Sequence, residues 1–155
     1  MDPRSFRSST IARSADDCEQ PVCEDAKDFS SVAKMFKSHE TPCPLKKDQL
    51  GRNTWSFLHT MAAHYPDKPS KEDQKSMVEF IKSFGQFYPC KECARDFRDD
   101  VKYFPPSEHV FNRIALSQYF CMLHNRVSTK LGRENEFDCS IESLDRRWKY
   151  NPDCK

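Results

Sequence analysis

The sequence has no long apolar run and almost no net charge. Its 155 residues include 25 Lys and Arg against 24 Asp and Glu, a formal net charge of +1. This balance argues against a nucleic-acid groove and against a polybasic membrane patch. No apolar run approaches the length that a transmembrane helix needs. We therefore expect neither a nucleic-acid partner nor a membrane span.

The N-terminal part of the chain is also poor in large apolar residues. The opening stretch, MDPRSFRSSTIARSADD, contains no apolar segment, so we expect no secretory signal. Mean hydropathy over the whole chain is −0.86, a low value that indicates one unfolded part and one well-packed part. We predict a flexible N-terminal arm over residues 1–42 and a folded domain over residues 43–155.

No stretch alternates apolar and polar residues as a strand would, and helical spacing recurs instead. A first helical pattern covers residues 47–65 and ends at Pro66. Ser70 is a good N-cap for a second helix. Its apolar stripe is predicted to contain Met77, Val78, Phe80, Ile81, Phe84, Phe87 and Tyr88. A short third helix should begin near Cys90, after Pro89.

A long fourth helix is predicted over about residues 108–131, capped by Ser107 and stopped by Gly132. Its apolar positions are predicted to be Val110, Phe111, Ile114, Phe120, Leu123, Val127 and Leu131. Ser140 can cap a last short helix that ends near Trp148. The sequence therefore predicts an all-α domain, a four-helix bundle with a short fifth helix.

Cysteine is the unusual component of this composition. The eight cysteines are Cys18, Cys23, Cys43, Cys90, Cys93, Cys121, Cys139 and Cys154. Eight cysteines allow 105 pairings, so spacing alone cannot choose among them. Without a secretory signal, this density suggests metal binding, redox work or an oxidising compartment reached by another route.

Cys90 and Cys93 form a Cys-x-x-Cys pair where a helix should begin. The helix dipole and the free N–H groups there favour a thiolate at Cys90, and Cys93 lies one turn further along. This arrangement suits thiol–disulfide exchange, in which one sulfur is attacked and its partner resolves the product. The same pair could also be a plain structural staple or half of a metal site.

Two non-catalytic interpretations follow from the same cysteines. Cys90, Cys93, Cys121 and His124 could form a tetrahedral zinc site in a helical interaction module. Against that site, the Cys121-x-x-His124 pair falls deep within a long helix, whereas structural zinc ligands usually sit on knuckles and turns. The other interpretation is a disulfide-stapled signalling protein without catalysis.

Several aromatic side chains could line a slot for a planar ligand. Trp55 and His59 are four residues apart and share a helix face. With His124, Trp148 and Tyr88 they supply two imidazoles, two indoles and a phenol. Each alone is an ordinary core or surface residue, and the set gains weight only beside a redox Cys-x-x-Cys pair.

Four motifs occur in order along the chain. They are Gly51-Arg52-x-x-Trp55-x-x-x-His59-Thr60, then Phe87-Tyr88-Pro89-Cys90-x-x-Cys93, then Cys121-x-x-His124-Asn125-x-Val127-x-x-Lys130-Leu131, and then Phe137-Asp138-Cys139. Together they resemble the Erv/ALR family of FAD-linked sulfhydryl oxidases over about residues 43–154. The resemblance implies a helical bundle with FAD at its mouth, and an enzyme that converts thiols and oxygen into disulfides and hydrogen peroxide.

The resemblance also implies roles for individual residues. Cys93 would lie beside the isoalloxazine ring, and Cys90 would be the interchange thiol that meets incoming dithiols. The positions implied to contact FAD are Arg52, Trp55, His59, Tyr88, Cys93, His124, Asn125, Val127, Lys130, Arg147 and Trp148. Aromatic rings can stack on the adenine and the flavin, while Arg and Lys can bind the pyrophosphate.

The resemblance assigns the other cysteines as pairs. Cys121 and Cys139 resemble the structural bridge of the family, which should contribute about 3 kcal/mol of stability. Cys43 and Cys154 resemble a pair that links two subunits of a homodimer, with an intrachain bridge as the alternative.

The N-terminal pair resembles the mobile shuttle disulfide of long family members. Cys18 and Cys23 are separated by four residues, CEQPVC, where two are usual, which changes strain and reduction potential. Ser128 stands where the family commonly has Asn, which alters one flavin hydrogen bond.

The implied pathway runs from a substrate dithiol to Cys18–Cys23, then to Cys90–Cys93, FAD, and oxygen or cytochrome c. The implied clients are cysteine-rich proteins, reached through the disulfide carrier of the mitochondrial intermembrane space. That compartment is the expected location, with the cytosol as the alternative.

Overall fold

The computed structural model describes residues 44–133 and 137–150. The chain divides into two units, Met1–Pro44 and Leu45–Lys155. Within the described ranges, all regular secondary structure is helical, which confirms the predicted all-α class. The predicted arm over residues 1–42 lies outside the described residues, and so do the four cysteines at the ends of the chain, Cys18, Cys23, Cys43 and Cys154.

The described part of the domain contains five α-helices, the number that the apolar spacing predicts. The α-helices are α1 Lys47–Ala63, α2 Lys71–Phe87, α3 Lys91–Tyr103, α4 Arg113–Lys130 and α5 Ile141–Trp148, with a 3₁₀ turn at Pro106–Glu108. Helix α1 packs along α4, α2 packs along α3, and α5 lies against both α1 and α4. None of the helices in the described part of the chain is long and apolar enough to cross a membrane.

Short polar side chains set several helix boundaries. The Asp73 backbone N–H donates to Ser70 Oγ at 3.1 Å, and the Ser70 N–H donates back to the Asp73 carboxylate at 2.8 Å. This reciprocal capping satisfies donors that the first turn would otherwise leave free. Ser140 caps α5 by accepting from the Ser143 N–H. Gly132 has a φ of 69° just beyond α4, a left-handed conformation that glycine adopts without a steric cost.

The predicted start of the long helix, at about residue 108, was wrong by about five residues. Ser107 lies inside the 3₁₀ turn, and α4 begins at Arg113. Asn112 is the N-cap, with its Oδ1 accepting from the Ala115 N–H at 2.8 Å. Ser and Asn are almost equally good caps, so tertiary contacts decide between them. One such contact is the hydrogen bond from the Tyr65 hydroxyl to the Val110 carbonyl oxygen, which holds this segment outside the helix.

The hydrophobic core lies between α1, α2, α3 and α4. Its buried members are Leu58, Ala62, Tyr65, Ile81, Phe97, Val110, Leu116, Tyr119, Phe120 and Leu123. The Tyr119 hydroxyl donates to the Phe104 carbonyl oxygen at 2.9 Å, so the buried phenol is satisfied.

Part of the predicted apolar stripes lies in solvent. Phe87, Phe111 and Leu131 are 75%, 57% and 57% exposed, and Ile114 is 42% exposed. Helix α4 buries Leu116 and its neighbours at helical spacing, and Ile114 lies about 200° around the helix from Leu116. The predicted stripe was therefore wrong at its edges, because Phe111 precedes the helix and Phe87 and Leu131 lie at helix ends.

One glycine allows close approach of α2 and α3. A Cβ atom at Gly85 would lie 2.9 Å from Cδ1 of Phe97 and 3.2 Å from Cγ of Arg98. The Phe97 ring is buried, so it cannot swing away without disturbing the core. Gly51, in α1, has no atom within 4 Å of the same position.

We expect Gly85→Ala to destabilise the protein by roughly 1–3 kcal/mol, because the added methyl group overpacks the α2–α3 contact. The matched control is Gly51→Ala, which should stabilise α1 by about 0.5–1 kcal/mol through helix propensity. Chemical denaturation of both variants measures the difference. Equal stability of the two variants would contradict the close approach.

Candidate active site

Cys90 and Cys93 are joined by a disulfide at the N-terminus of α3, with their Cα atoms 5.3 Å apart. Cys90 is the N-cap residue, and its sulfur accepts from the Cys93 N–H at 3.4 Å. Both residues are half-buried. Free N–H groups and the helix dipole at this end would stabilise a thiolate once the bond is reduced. The geometry suits a dithiol that is repeatedly oxidised and reduced.

Tyr88 connects this disulfide to α1. It is the C-cap residue of α2, two residues before Cys90. Its ring lies 5.2 Å from that of Phe84, and its hydroxyl accepts from Thr54 Oγ1 at 3.4 Å. Thr54 immediately precedes Trp55, so the Cys-x-x-Cys segment reaches α1 beside an indole.

Trp55, His59, His124 and Trp148 form a cluster that we call the imidazole–indole cluster. The Trp55 and His124 rings stack at 4.2 Å with 6° between their planes. The His59 and Trp148 rings stack at 4.8 Å with 7° between their planes. His59 Nε2 and His124 Nδ1 are 2.9 Å apart, so one imidazole donates a hydrogen bond and the other accepts it. The cluster therefore joins α1, α4 and α5.

Phe137 and Arg147 extend the imidazole–indole cluster at the α5 side. The Phe137 ring lies 4.3 Å from that of His124. The Arg147 guanidinium lies 5.0 Å from the Phe137 ring and 4.9 Å from the Trp148 ring. A cavity of about 240 Å³ opens here, lined by His59, Phe137, Asp138, Ser143, Leu144, Arg147 and Trp148. Sequence reasoning missed Phe137 as a site residue, although its place beside Asp138-Cys139 was a signal for it.

Both imidazoles of the cluster are neutral at pH 7. The pKa of His59 is lowered to about 3, first by burial and then by repulsion from His124 and Arg147. The pKa of His124 is lowered to about 4 by burial, with Arg147 and Arg133 adding repulsion. The cluster therefore presents flat, uncharged rings next to a cationic guanidinium.

A disulfide and an asparagine hold the segment before α5 against α4. The structure contains the Cys121–Cys139 bridge that the family resemblance implies, with Cα atoms 5.7 Å apart. Asn125 donates to the Phe137 carbonyl oxygen at 2.8 Å and accepts from the Phe137 N–H at 2.7 Å. The Asn125 amide therefore fixes the backbone that presents the Phe137 ring.

Lys130 is engaged with a buried carboxylate. Its ammonium lies 2.9 Å from one oxygen of Asp100, and Arg126 contacts the other oxygen at 2.8 Å. The Asp100 side chain is only 4% exposed, so both cations compensate its burial and join α3 to α4. Of the other predicted contact residues, Arg52 is exposed on α1, and Val127 is half-buried on α4.

The zinc interpretation is not supported. Cys90 and Cys121 belong to separate disulfides, with Cys93 and Cys139, so their sulfurs are not thiolates available to a metal. Within residues 44–133 and 137–150, no group of three or more His, Cys, Asp or Glu side chains could hold a metal ion.

Comparison with known proteins decides the family. The sequence pattern of the Erv1 / Alr family matches residues 52–149, from within α1 to just past the end of α5. The chain belongs to the Erv1 / Alr family. The resemblance drawn from the four motifs is thereby confirmed.

Curated relatives of the chain agree with this family assignment. The chain is 37% identical over 123 residues to "FAD-linked sulfhydryl oxidase ERV1" of Arabidopsis thaliana, covering 79% of this chain and 62% of the relative. It is 38% identical to "Mitochondrial FAD-linked sulfhydryl oxidase ERV1" of Saccharomyces cerevisiae, covering 68% of this chain and 53% of the relative. The chain thus spans between half and two thirds of the length of these two relatives.

Solved structures of the family share the fold. The yeast Erv1 core has a TM-score of 0.68 and 34% identity, covering 73% of this chain and 92% of that chain. The FAD binding domain of Erv1 from Saccharomyces cerevisiae has a TM-score of 0.63 and 36% identity, covering 68% and 96%. The helical bundle is therefore an Erv1-type bundle.

The depressed histidine pKa values predict a pH-dependent stability. Because the folded state holds His59 and His124 below the ordinary value of 6.5, the unfolded state binds protons that the folded state excludes. We expect the free energy of unfolding to fall as the pH is lowered from about 6.5 toward 4, by up to about 1.4 kcal/mol per pH unit per histidine. Urea denaturation at pH 7, 6 and 5 measures this slope.

His124→Gln should flatten the slope, because it removes one excluded proton while glutamine can still hydrogen-bond His59. The matched control is His109→Gln, which removes a histidine outside the imidazole–indole cluster. The cluster would not be the source of the pH dependence if both variants flattened the slope equally.

Proposed function

We propose that this protein is a FAD-linked thiol oxidase that converts two substrate thiols and oxygen into a disulfide and hydrogen peroxide. The observation that carries this proposal is the Cys90–Cys93 disulfide at the start of α3 in an Erv1-type bundle. Relatives of the chain carry this activity in their names. No comparable observation favours a non-catalytic signalling protein.

The residues present fit a flavin dinucleotide. A planar ring system needs flat apolar surfaces, and the imidazole–indole cluster offers neutral ones. A pyrophosphate needs cations, and Arg147 lies at the cavity beside these rings. The cavity of about 240 Å³ is small for such a ligand, so half-buried rings outside it, such as those of Trp55 and Tyr88, would complete the site.

The chain's own residues perform the thiol chemistry. A substrate thiolate attacks the Cys90 sulfur, the Cys90–Cys93 bond breaks, and the Cys93 sulfur leaves as a thiolate. A second substrate thiolate then attacks the substrate sulfur of the mixed disulfide and releases Cys90. The balance is one substrate disulfide formed and one Cys90–Cys93 dithiol produced, so two electrons and two protons enter the protein.

Reoxidation of the dithiol needs the cofactor. When bound, FAD would supply the chemistry that takes the two electrons of Cys90 and Cys93 and delivers them to one molecule of oxygen or, one at a time, to two molecules of cytochrome c. Cys93 is the sulfur that we assign to the flavin side, and Cys90 is the sulfur that we assign to the substrate side. We also propose that FAD is contacted by the residues that the family resemblance implies: Arg52, Trp55, His59, Tyr88, His124, Asn125, Val127, Lys130, Arg147 and Trp148.

The proposal also includes residues outside the described ranges. Residues 1–42 serve as an arm on which Cys18–Cys23 acts as a shuttle, and residues 43–155 form the oxidase domain. Cys43 of one subunit pairs with Cys154 of the other in a homodimer. The clients are cysteine-rich proteins of the mitochondrial intermembrane space, reached through its disulfide carrier. The mitochondrial name of the Saccharomyces cerevisiae relative supports a mitochondrial location.

A spectrum of the purified protein tests the cofactor assignment. We expect a yellow protein that absorbs at about 450 nm, as oxidised flavins do. Cys93→Ser and Cys90→Ser should both abolish oxygen uptake with dithiothreitol, because either change removes the exchangeable disulfide. Only Cys90→Ser should gain a long-wavelength band, because it leaves a Cys93 thiolate next to the flavin.

Other outcomes would contradict these assignments. A colourless wild-type protein would refute the oxidase and favour the signalling alternative. A long-wavelength band in Cys93→Ser rather than in Cys90→Ser would reverse the roles of the two sulfurs.

The shuttle is tested by replacing the arm cysteines. We expect Cys18→Ser with Cys23→Ser to slow the oxidation of reduced protein substrates strongly, while dithiothreitol, which reaches Cys90 directly, still reacts at the wild-type rate. Oxygen consumption with each substrate measures the two rates. Equal loss with both substrates would refute the shuttle role.

A further inference from the structure

An ion pair between Arg113 and Asp145, whose side chains are 11% and 30% exposed, joins the first turn of α4 to α5. The guanidinium of Arg113 donates to both carboxylate oxygens of Asp145, one of them at 3.1 Å. Its Nε donates to Asp67 at 3.1 Å, in the segment between α1 and α2. The Arg113 side chain is 11% exposed, whereas that of Asp67 is 75% exposed. The contact with Asp145 is therefore the better shielded of the two.

Arg113 occupies a position that helix electrostatics disfavours. It is the first residue of α4, where the helix dipole repels a cation. Removing a guanidinium from water adds a further cost, which a carboxylate must offset. A paired guanidinium fork has one benefit that a hydrophobic side chain lacks, because two parallel hydrogen bonds fix the orientation of the partner. The Arg113–Asp145 pair is therefore better suited to fixing an orientation than to adding stability.

Asp145 is well placed to set the position of the end of α5. It lies two residues before Arg147 and three before Trp148, within one helical turn. Its backbone carbonyl also accepts from the N–H groups of Lys149 and Tyr150, at 3.0 and 2.7 Å. The last turn of α5 is thus built around Asp145.

The two ends of α5 are held by different means. The Cys121–Cys139 bridge and the Asn125 amide hold the segment that leads into the helix. At the far end, the Trp148 ring stacks on His59. A planar stack resists sliding only weakly, whereas the Arg113–Asp145 fork is a directional contact at this end.

We propose that Arg113 and Asp145 are a positioning pair that holds Trp148 and Arg147 in place at the candidate FAD site. This inference rests on the proposed function and extends it to two residues outside the cavity. The pair touches no reacting atom. Its loss should leave the core of α1 to α4 intact, release the last turn of α5 and weaken the binding of FAD.

The experiment uses four variants of the full-length protein: Asp145→Asn, Arg113→Gln, the two combined, and the control Asp67→Asn. Asp67→Asn removes a partner of the same guanidinium but leaves the fork to Asp145. The dissociation constant of FAD is measured from the fluorescence of released flavin, well below the unfolding temperature. We expect Asp145→Asn to bind FAD roughly tenfold more weakly, and Asp67→Asn to stay within about twofold of wild type.

Three readouts separate positioning from general stability. The visible circular dichroism of bound flavin should change in Asp145→Asn but not in Asp67→Asn, because it reports the surroundings of the ring. Hydrogen exchange at the Lys149 and Tyr150 amides should become faster while exchange in α1 and α4 is unchanged. The double variant should bind FAD no more weakly than the weaker single variant, because both lose the same contact.

Wild-type FAD affinity and an unchanged visible spectrum in Asp145→Asn, together with a lower melting temperature, would overturn the proposal and leave a structural ion pair. Additive losses in the double variant would overturn it as well. If Asp145→Asn fails to fold, Arg113→Lys becomes the deciding variant, since lysine keeps the charge without the fork. A wild-type protein without flavin would instead refute the proposed function.

Discussion

The hydrogen bond between His59 and His124 is the contact around which the candidate site is arranged. It pairs α1 with α4, and each imidazole also stacks on one indole, so four rings are held by one short polar contact. One imidazole must accept the hydrogen bond that the other donates. At least one of the two must therefore be neutral. Burial supplies that condition by lowering both pKa values. A charged imidazole would lose both the hydrogen bond acceptor and the apolar ring face.

Helix α5 is the shortest α-helix of the described residues, and two kinds of contact hold it in place. Helix α5 has only eight residues, of which Leu144 is buried, and a helix this short is marginal without tertiary contacts. A disulfide restrains the segment before it, and an ion pair with Arg113 restrains its last turn. Covalent and ionic contacts therefore add to the burial of Leu144 and the stacking of Trp148 in holding this helix.

A network of ion pairs also joins α3 to α4. The buried Asp100 carboxylate pairs with Arg126 and Lys130, and the Arg126 guanidinium also lies 4.9 Å from the Phe104 ring. Helix α3 begins with the Cys90–Cys93 disulfide, so this network fixes the direction of the helix that carries the reactive sulfurs. Removal of either cation would leave part of a buried carboxylate charge uncompensated.

The helix boundaries, the number of helices and the family could largely be predicted from the sequence by itself. Ser70, Ser140 and Gly132 predicted helix boundaries because caps and left-handed glycines act over a few residues. The spacing of apolar residues predicted five helices, and the ordered motifs predicted the family. The tertiary structure alone decided the start of α4 at Asn112, the partners of Arg113 and Asp100, and the place of Phe137 in the site. The contacts of Arg113 with Asp145 and of Asp100 with Arg126 join residues 32 and 26 positions apart. Such contacts depend on how helices pack, so no local pattern in a single sequence contains them.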